Sequence, residues 1–189
     1  VVVTGLGLIS PVGNDVATGW SNLLAGKSGI GRITRFDPTP FTSQIAGEVK
    51  GFDIAAYMPA KEARHFDTFI HYAVSAAKEA LADSGFQVTP ENAEQVGVYI
   101  GSGIGGIATF EEQCRICERD GPNRISPFFI PMFIGDIAAG VVSMRFGAKG
   151  PNYATQSACA TSAHAIGDAF RMIVYGDADI IIAGGSEAA

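Results

Sequence analysis

The chain has 189 residues, of which 47% are hydrophobic and 17% are charged, and 24 are glycines. This length and composition allow one domain with a sizeable buried core. The formal net charge is −6, and the chain has no cluster of Lys and Arg. We therefore expect no nucleic-acid surface.

Two further classes of protein are disfavoured by the sequence. Asp136 and Arg145 interrupt the longest apolar stretches, which are too short to span a bilayer, so we expect no membrane segment. Three cysteines do not make the disulfide framework of a small secreted protein. A reducing, cytoplasmic location is the natural expectation.

Strand-like and helix-like segments alternate along the chain, which predicts an α/β fold on a largely parallel sheet. Residues 1–3 are predicted to begin a buried strand. A helix capped by Asn14 or Asp15 follows, with apolar residues on one side, and it ends at Gly26. No internal repeat or linker predicts a second domain within residues 1–189.

The middle of the chain predicts loops, then a helix and a strand. Residues 28–59 are rich in Gly, Pro, Ser and Thr, so we expect loops there, with a short strand near 45–49. Apolar spacing over 69–81 predicts a long amphipathic helix ending at Gly85. Residues 96–100 read as a strand that leads into a glycine loop.

That loop, with Gly101, Gly103 and Gly106, matches the G-x-G-x-x-G pattern of dinucleotide-binding proteins. The pattern is informative only where it opens a helix in a βαβ unit with an acidic residue about 20 positions later. A polar stretch follows here, and no second strand ends in such an acid. We favour a structural interpretation, in which the backbone at these glycines needs positive φ and close approach and Ile104 is the one bulky side chain on display.

Cys114 and Cys117 form a C-x-x-C pair. A structural zinc site needs about four ligands, but the chain has only three Cys and three His, far apart. A thioredoxin-like pair begins a helix, whereas these two lie inside a charged helical run. We expect neither a metal site nor a redox role.

Cys159 is the strongest candidate for a catalytic residue. It follows the extended-looking run 152–156, and helical spacing begins just after it. The N–H groups and dipole of a helix N-terminus stabilise a thiolate, which is the reactive form of cysteine. Small neighbours leave room for a substrate: Ala158, Ala160, Ser162 and Ala163.

No histidine lies in a motif that would make a protease-like Cys–His pair. His164 follows Cys159 by five residues, about 140° around a helix, and should point elsewhere. His65 and His71 are assigned to the helix after Pro59, as surface and packing residues.

Four ordered segments resemble the β-ketoacyl-acyl-carrier-protein synthases, and most closely the elongating type II form. These segments are VTGLG at 3–7 with SPVG at 10–13, GSGIGG at 101–106, ISPFFIP at 125–131, and the stretch 150–187 around Cys159. The resemblance implies a thiolase-like layered α/β/α/β/α sandwich built from two similar halves. Residues 1–189 resemble the N-terminal half only, and the family's two catalytic histidines and lysine belong to the other half.

The resemblance also implies a reaction that needs neither a cofactor nor a metal. Cys159 would take an acyl group from acyl carrier protein, and its backbone N–H would donate to the oxyanion. Decarboxylation of a malonyl carrier thioester would then give a carbanion that attacks the acyl-enzyme and forms a 3-oxoacyl carrier thioester. Ile104 would line the acyl pocket. Phe129 and Ile130 would close the pocket of the neighbouring subunit in a homodimer.

Lys61, Arg64 and Arg124 match family positions that dock the acidic carrier protein. His65 and Asn123 stand where the family commonly has further basic residues. A solvated helix face is the alternative interpretation of Lys61 and Arg64.

Three related functions stay open at this point. A polyketide ketosynthase shares these motifs, and a thiolase shares the fold but uses coenzyme A and different cysteine surroundings. A non-catalytic chain-length partner subunit is disfavoured because such partners typically lack the nucleophile, whereas Cys159 is present.

Overall fold

The computed structural model describes residues 1–189. Seven α-helices alternate with five short strands. The helices are α1 (Val16–Leu24), α2 (Ala60–Ala63), α3 (Thr68–Ser84), α4 (Ile107–Asp120), α5 (Phe129–Phe133), α6 (Ile137–Phe146) and α7 (Thr161–Tyr175). The strands are β1 (Ile30–Arg32), β2 (Ile45–Gly47), β3 (Val96–Gly101), β4 (Asn152–Tyr153) and β5 (Ile180–Gly185). Single 3₁₀ turns cover Ile54–Ala56, Ala93–Gln95, Pro122–Arg124 and Ala158–Ala160.

A three-stranded parallel sheet with the order β4-β3-β5 lies at the centre. On one face of the central strand, Val96, Val98 and Ile100 are buried with side chains of α3 and α6. On the other face, the Tyr99 hydroxyl donates to Asp168 of α7 across 3.3 Å. The arrangement therefore has helices on both sides of a parallel sheet, as the alternating pattern predicted.

The long helix α3 confirms the apolar spacing read from the sequence. Asp67 caps its first turn, and Gly85, with φ of 66°, ends it in the left-handed conformation that glycine tolerates. Phe69, Ile70 and Val74 are fully buried against the sheet and α6. This packing holds α3 and α6 against one face of the central sheet.

The predicted strand at residues 1–3 is wrong. Their side chains are 60–80% exposed, and no strand forms there. The following segment runs along α3, where the Leu6 N–H donates to Asp83 at 2.9 Å and the Leu8 N–H donates to Glu79 at 2.8 Å. Helix carboxylates thus satisfy backbone donors that a neighbouring strand would otherwise take.

Two predictions in the first third of the chain need adjustment. The strand expected near 45–49 is β2, but it pairs antiparallel with β1, which the sequence did not indicate. The single helix expected after Pro59 is two helices, because Asp67 caps α3 and separates it from α2. His65 therefore lies in the turn between them, whereas His71 lies in α3.

Helix α1 forms as predicted, with the Asp15 side chain accepting from the Thr18 N–H at 2.7 Å. Its apolar side is exposed within this chain: Trp20, Leu23 and Leu24. None of the helices is both long and apolar enough to cross a membrane.

Candidate active site

The carboxyl ends of β3, β4 and β5 meet at one edge of the sheet because the strands are parallel. Residues 102–106 follow β3, residues 154–160 follow β4, and Ser186 and Glu187 follow β5. Ligand sites of open α/β sheets form at this edge. All the candidate features around Cys159 gather there.

Cys159 lies in the 3₁₀ turn directly before α7, and its thiol is free and exposed. Ala158 has a φ of 51°, the only positive φ of any non-glycine residue in the chain. Such a conformation costs on the order of 1–2 kcal/mol, so the surrounding contacts must hold it. The Cys159 N–H has no acceptor. The thiol and a free donor are thus presented together at a helix N-terminus, as the sequence predicted.

Hydrogen bonds to Thr161 hold this turn. The Ser157 N–H donates to the Thr161 hydroxyl at 2.8 Å, and the Thr155 hydroxyl donates to the Thr161 carbonyl at 3.0 Å. Thr161 is buried. The two residues that precede the turn, Thr155 and Ser157, are therefore fastened to the first residue of α7, which follows it.

His164 makes no hydrogen bond to the Cys159 thiol, which agrees with the prediction that it points elsewhere. It nevertheless contacts the nucleophile segment, because its Nδ1 lies 2.6 Å from the Ser157 hydroxyl. The sequence did not indicate this contact, since Cys159 precedes α7 and the angular spacing of one continuous helix does not apply.

The glycine loop packs against the nucleophile segment. A side chain at Gly101 would overlap the carbonyl of Thr155 and the methyl group of Thr161, and a Cβ at Gly103 would lie 3.3 Å from the Ala158 Cα. The close approaches that the sequence predicted for these glycines are confirmed. The positive φ predicted with them is wrong for Gly101, Gly103 and Gly106, because the only loop residue with a positive φ is Gly105, at 75°.

The same loop lacks the free N–H donors that a dinucleotide phosphate needs. The helical run predicted around Cys114 and Cys117 does begin directly after Gly106, as α4, so the pattern lies between a strand and a helix. Protein atoms nonetheless occupy its donors: the Gly106 N–H donates to Phe133 at 2.9 Å and the Gly105 N–H to Ser102 at 2.9 Å. A phosphate at the N-terminus of a helix needs such donors free.

Ile104 is 51% exposed and lines an open cavity of about 520 Å³ beside the nucleophile segment. Phe133, Ile134 and Ala154 form the rest of its apolar wall. Gln156, three residues before Cys159, and Asp136 are its polar lining residues. The cavity therefore borders the segment that leads to the thiol and has one apolar wall, which suits an acyl chain.

Phe129 and Ile130 lie on α5 and do not line this cavity in the present chain. The Phe129 ring packs between Phe110 and Phe133, with centroid distances of 6.1 and 5.8 Å, while Ile130 is exposed. Phe133, which the sequence analysis did not single out, connects this aromatic group to the cavity of Ile104.

A second open cavity, of about 350 Å³, lies on the other side of residues 155–157. His164, Asp168 and Arg171 of α7 give it a polar lining.

Tyr99 of β3 lies next to Asp168. Burial, and then the neighbouring Asp168 carboxylate, raise the pKa of Tyr99 above its ordinary value, because both disfavour a phenolate.

Lys61 and Arg64 are exposed at the one-turn helix α2 and form no ion pair, because Glu62 pairs with Arg145 at 2.9 Å instead. Arg124, also exposed and unpaired, lies in the turn Pro122–Arg124. The turn after α2 touches the segment that follows Arg124, since the His65 and Phe128 ring centroids lie 4.0 Å apart in a tilted contact. The three cations thus lie on two segments of the chain that contact each other.

Cys114 and Cys117 lie within α4, exposed and half-buried respectively, and both thiols are free. No group of three or more His, Cys, Asp or Glu side chains is placed to hold a metal ion.

The whole chain, residues 1–189, matches the family model described as "Beta-ketoacyl synthase, N-terminal domain". The chain belongs to this family.

Curated relatives of this β-ketoacyl synthase chain are identical to it at about half of the aligned positions. A 3-oxoacyl-[acyl-carrier-protein] synthase 2 from Staphylococcus aureus (strain COL) is 50% identical over 188 residues, which is 100% of this chain and 45% of that protein. The protein of the same name from Vibrio cholerae serotype O1 is 51% identical over 189 residues, 46% of its length. The chain thus spans slightly less than half of these relatives.

Solved structures of ketosynthases have the same fold. A type II polyketide acyl carrier protein in complex with its ketosynthase, bound to the hexaketide, matches with a TM-score of 0.84 and 26% identity, covering 99% of this chain and 50% of that one. A β-ketoacyl synthase from Burkholderia phymatum STM815 matches with a TM-score of 0.81 and 28% identity, covering 94% and 44%. The ishigamide ketosynthase/chain length factor gives 0.83 and 25%, covering 97% and 51%. The thiolase-like α/β fold is therefore confirmed.

Proposed function

We propose that this chain is the nucleophile-bearing half of a 3-oxoacyl-[acyl-carrier-protein] synthase that elongates acyl chains by decarboxylative Claisen condensation. The observation that carries the proposal is the exposed Cys159 thiol in its strained turn at the N-terminus of α7. The 50% identity to curated synthases of that name supports the reaction type.

In the first step, the Cys159 thiolate attacks the carbonyl carbon of an acyl carrier thioester. The C–S bond to the carrier breaks, the carrier thiolate leaves and takes up a proton, and the acyl group stays on Cys159. The unoccupied Cys159 N–H donates to the oxyanion of the tetrahedral intermediate. The helix N-terminus contributes by favouring the thiolate over the thiol.

In the second step, a malonyl carrier thioester loses carbon dioxide, and the electron pair of the broken C–C bond forms a carbanion at C2. That carbanion attacks the acyl carbonyl and expels the Cys159 thiolate, which is ready for another cycle. The product is a 3-oxoacyl carrier thioester two carbons longer. By the family resemblance, the groups that promote decarboxylation and the second oxyanion donor lie outside these 189 residues.

The acyl chain is proposed to lie in the cavity beside Ile104, whose apolar wall leads away from the nucleophile segment. Phe129 and Ile130 are proposed to act across a homodimer interface. Neither residue lines the Ile104 cavity of its own chain, although Phe129 contacts Phe133 of the cavity wall. Ile130 is exposed and is thus available to a neighbouring subunit, which supports this assignment.

Acyl carrier protein is the proposed partner, with Lys61, Arg64 and Arg124 as its docking residues. One solved ketosynthase of the same fold is held in complex with an acyl carrier protein. Exposed cations that form no ion pair within the chain suit an acidic protein, which they would steer and orient.

A polyketide ketosynthase is the second candidate, favoured by the polyketide complex matching at a TM-score of 0.84. Its sequence identity of 26% is about half that of the fatty acid type synthases. We therefore rank fatty acid elongation first.

The test is mass spectrometry of the full-length protein after incubation with an acyl carrier thioester. The acyl group should be located on Cys159, and Cys159→Ser should abolish the adduct and condensation. Cys114→Ser is the matched control and should retain both, because that thiol lies on α4 away from the site. An adduct that persists in Cys159→Ser and maps to Cys114 or Cys117 would overturn the assignment.

A further inference from the structure

The loop that carries Ile104 is fastened by one carboxylate from the end of β5. The Ile104 N–H donates to Glu187 Oε2 at 2.9 Å, and the Ser102 hydroxyl lies 3.4 Å from the same oxygen. The Ser102 hydroxyl in turn accepts from the Gly105 N–H at 2.9 Å, and Ser102 is fully buried. A single side chain thus orders three residues of the loop, directly or through Ser102.

The loop has little freedom around this carboxylate. A Cβ at Gly103 would lie 3.1 Å from Glu187 Oε2 and 3.3 Å from the Ala158 Cα. The loop therefore lies between the carboxylate and the residue before Cys159. Any displacement of the loop away from Glu187 alters its packing against the nucleophile turn and moves Ile104 relative to the thiol.

The attachment of Glu187 itself is firm although its side chain is exposed. The preceding Ser186 donates its hydroxyl to the Phe69 carbonyl at 2.6 Å and its N–H to the Gly101 carbonyl at 3.0 Å. Phe69 is fully buried in α3. The carboxylate is therefore anchored to the core, while the loop that it holds faces the cavity.

From this geometry we propose that Glu187 is a positioning residue that sets acyl-chain selectivity. It acts through the backbone of the glycine loop, whose Ile104 side chain forms the wall of the acyl cavity. The role in acyl-chain selectivity rests on the proposed function, which supplies the substrate, an acyl carrier thioester. The claim that Glu187 positions the loop rests only on the hydrogen bonds. Glu187 touches no reacting atom and has no part in the bond-making steps.

Two variants of the full-length protein test the inference. Glu187→Gln keeps the size of the side chain but replaces one acceptor oxygen with an NH₂ donor, and Glu187→Ala removes both acceptors. Glu94→Gln is the matched control, because Glu94 is exposed and makes no side-chain hydrogen bond at the opposite end of β3.

The first readout is amide hydrogen exchange. The Ile104 and Gly105 amides should exchange about tenfold faster in Glu187→Ala, since the Ile104 N–H loses its acceptor and the Ser102 hydroxyl, which accepts from the Gly105 N–H, loses its contact with the carboxylate. Amides of Val98 and Ile100 in β3 should keep their protection. Unchanged exchange at Ile104 and Gly105 would overturn the proposal, whatever the activity.

The second readout is the ratio of kcat/KM for a long acyl donor to that for a short one. This ratio should fall about tenfold in Glu187→Ala and less in Glu187→Gln, because the wall of the cavity matters most to the long chain. In an Ile104→Ala background, where the backbone N–H remains but the wall is gone, Glu187→Ala should leave the ratio unchanged. Equal losses for both donors, or an undiminished effect in that background, would show a merely structural role.

The two proposals fail in different ways. A wild-type protein that transfers no acyl group to Cys159 contradicts the proposed function, while the exchange experiment still decides whether Glu187 holds the loop. A wild-type protein that condenses both donors, combined with unchanged exchange in Glu187→Ala, contradicts only the positioning role.

Discussion

Gly101 is the residue at which the central strand and the nucleophile segment come closest. A Cβ there would overlap the Thr155 carbonyl oxygen and the Thr161 methyl group, and both belong to the segment that holds Cys159. Backbone cannot move aside as the end of a flexible side chain can. Gly101 is therefore required for packing, although its φ is not positive.

We expect Gly101→Ala to destabilise the full-length protein by about 1–3 kcal/mol, the usual cost of overpacking, and to lower acylation of Cys159. Denaturant unfolding and the acylation rate measure the two effects. Gly184→Ala is the control, because a Cβ at this position of β5 meets nothing within 4 Å. A Gly101→Ala protein as stable and as reactive as the control would mean that the loop and the nucleophile segment are not in contact.

Residue-level prediction from the sequence depends on how local the signal is. The position of Cys159 at the start of a helix could be predicted, because the extended run before it and the helical spacing after it lie within a few positions of it. Glu187 could not, because it meets Ile104 across 83 residues and Ser102 across 85. The Ser157–His164 contact was missed for a related reason, since it depends on how the 3₁₀ turn joins α7.

At the scale of elements, the helix spacings were reliable and the chain ends were not. The end of α3 follows from apolar spacing and from Gly85, both of which were predicted, whereas its start at the Asp67 cap was missed because the spacing of the short α2 runs on into it. An apolar run such as residues 1–3 predicts a strand only if a partner strand is available, and none pairs with it here. Likewise, β1 is three residues long and has too few positions to reveal alternation.

The one-turn helix α2 is the element proposed to meet the carrier protein. Its Lys61 and the adjoining Arg64 are exposed and unpaired. Reversing both charges to Glu in the full-length protein should raise KM for a carrier-bound substrate several-fold and flatten its salt dependence, because the lost attraction is a screened one. Steady-state kinetics at several ionic strengths measures this.

Two controls separate docking from folding for that variant. Turnover of a small acyl thioester without the carrier should hardly change, since the groups around Cys159 are untouched. Lys27→Glu with Lys149→Glu gives the same change in net charge on exposed residues elsewhere and should leave the KM near that of the wild type. Equal loss with carrier-bound and carrier-free substrates would mean that α2 supports the fold and does not dock the partner.

The 189 residues expose large apolar side chains on α1 and α7 that a stable domain normally buries. On α7, Ile166 and Phe170 are 53% and 52% exposed, and on α1 Trp20 is 61% exposed. Helix α7 covers one face of the sheet, yet its outer side is apolar as well. A helix that is apolar on both sides is normally buried between layers. The relatives, about twice as long as this chain, have the additional residues that could form such a layer.

The last prediction follows from that surface. The 189-residue chain expressed alone should self-associate at micromolar concentration in sedimentation velocity, because its outer apolar side has no cover. It should release no carbon dioxide from a malonyl carrier thioester, since the groups proposed to promote decarboxylation lie outside it. Phe170→Ala should cost the full-length protein about 3–5 kcal/mol of unfolding free energy, as for a buried phenylalanine, but cost the isolated chain much less, where that ring is half exposed. Decarboxylation by the isolated chain, or an equal cost of Phe170→Ala in both proteins, would contradict the view that α7 is an internal layer of a larger enzyme.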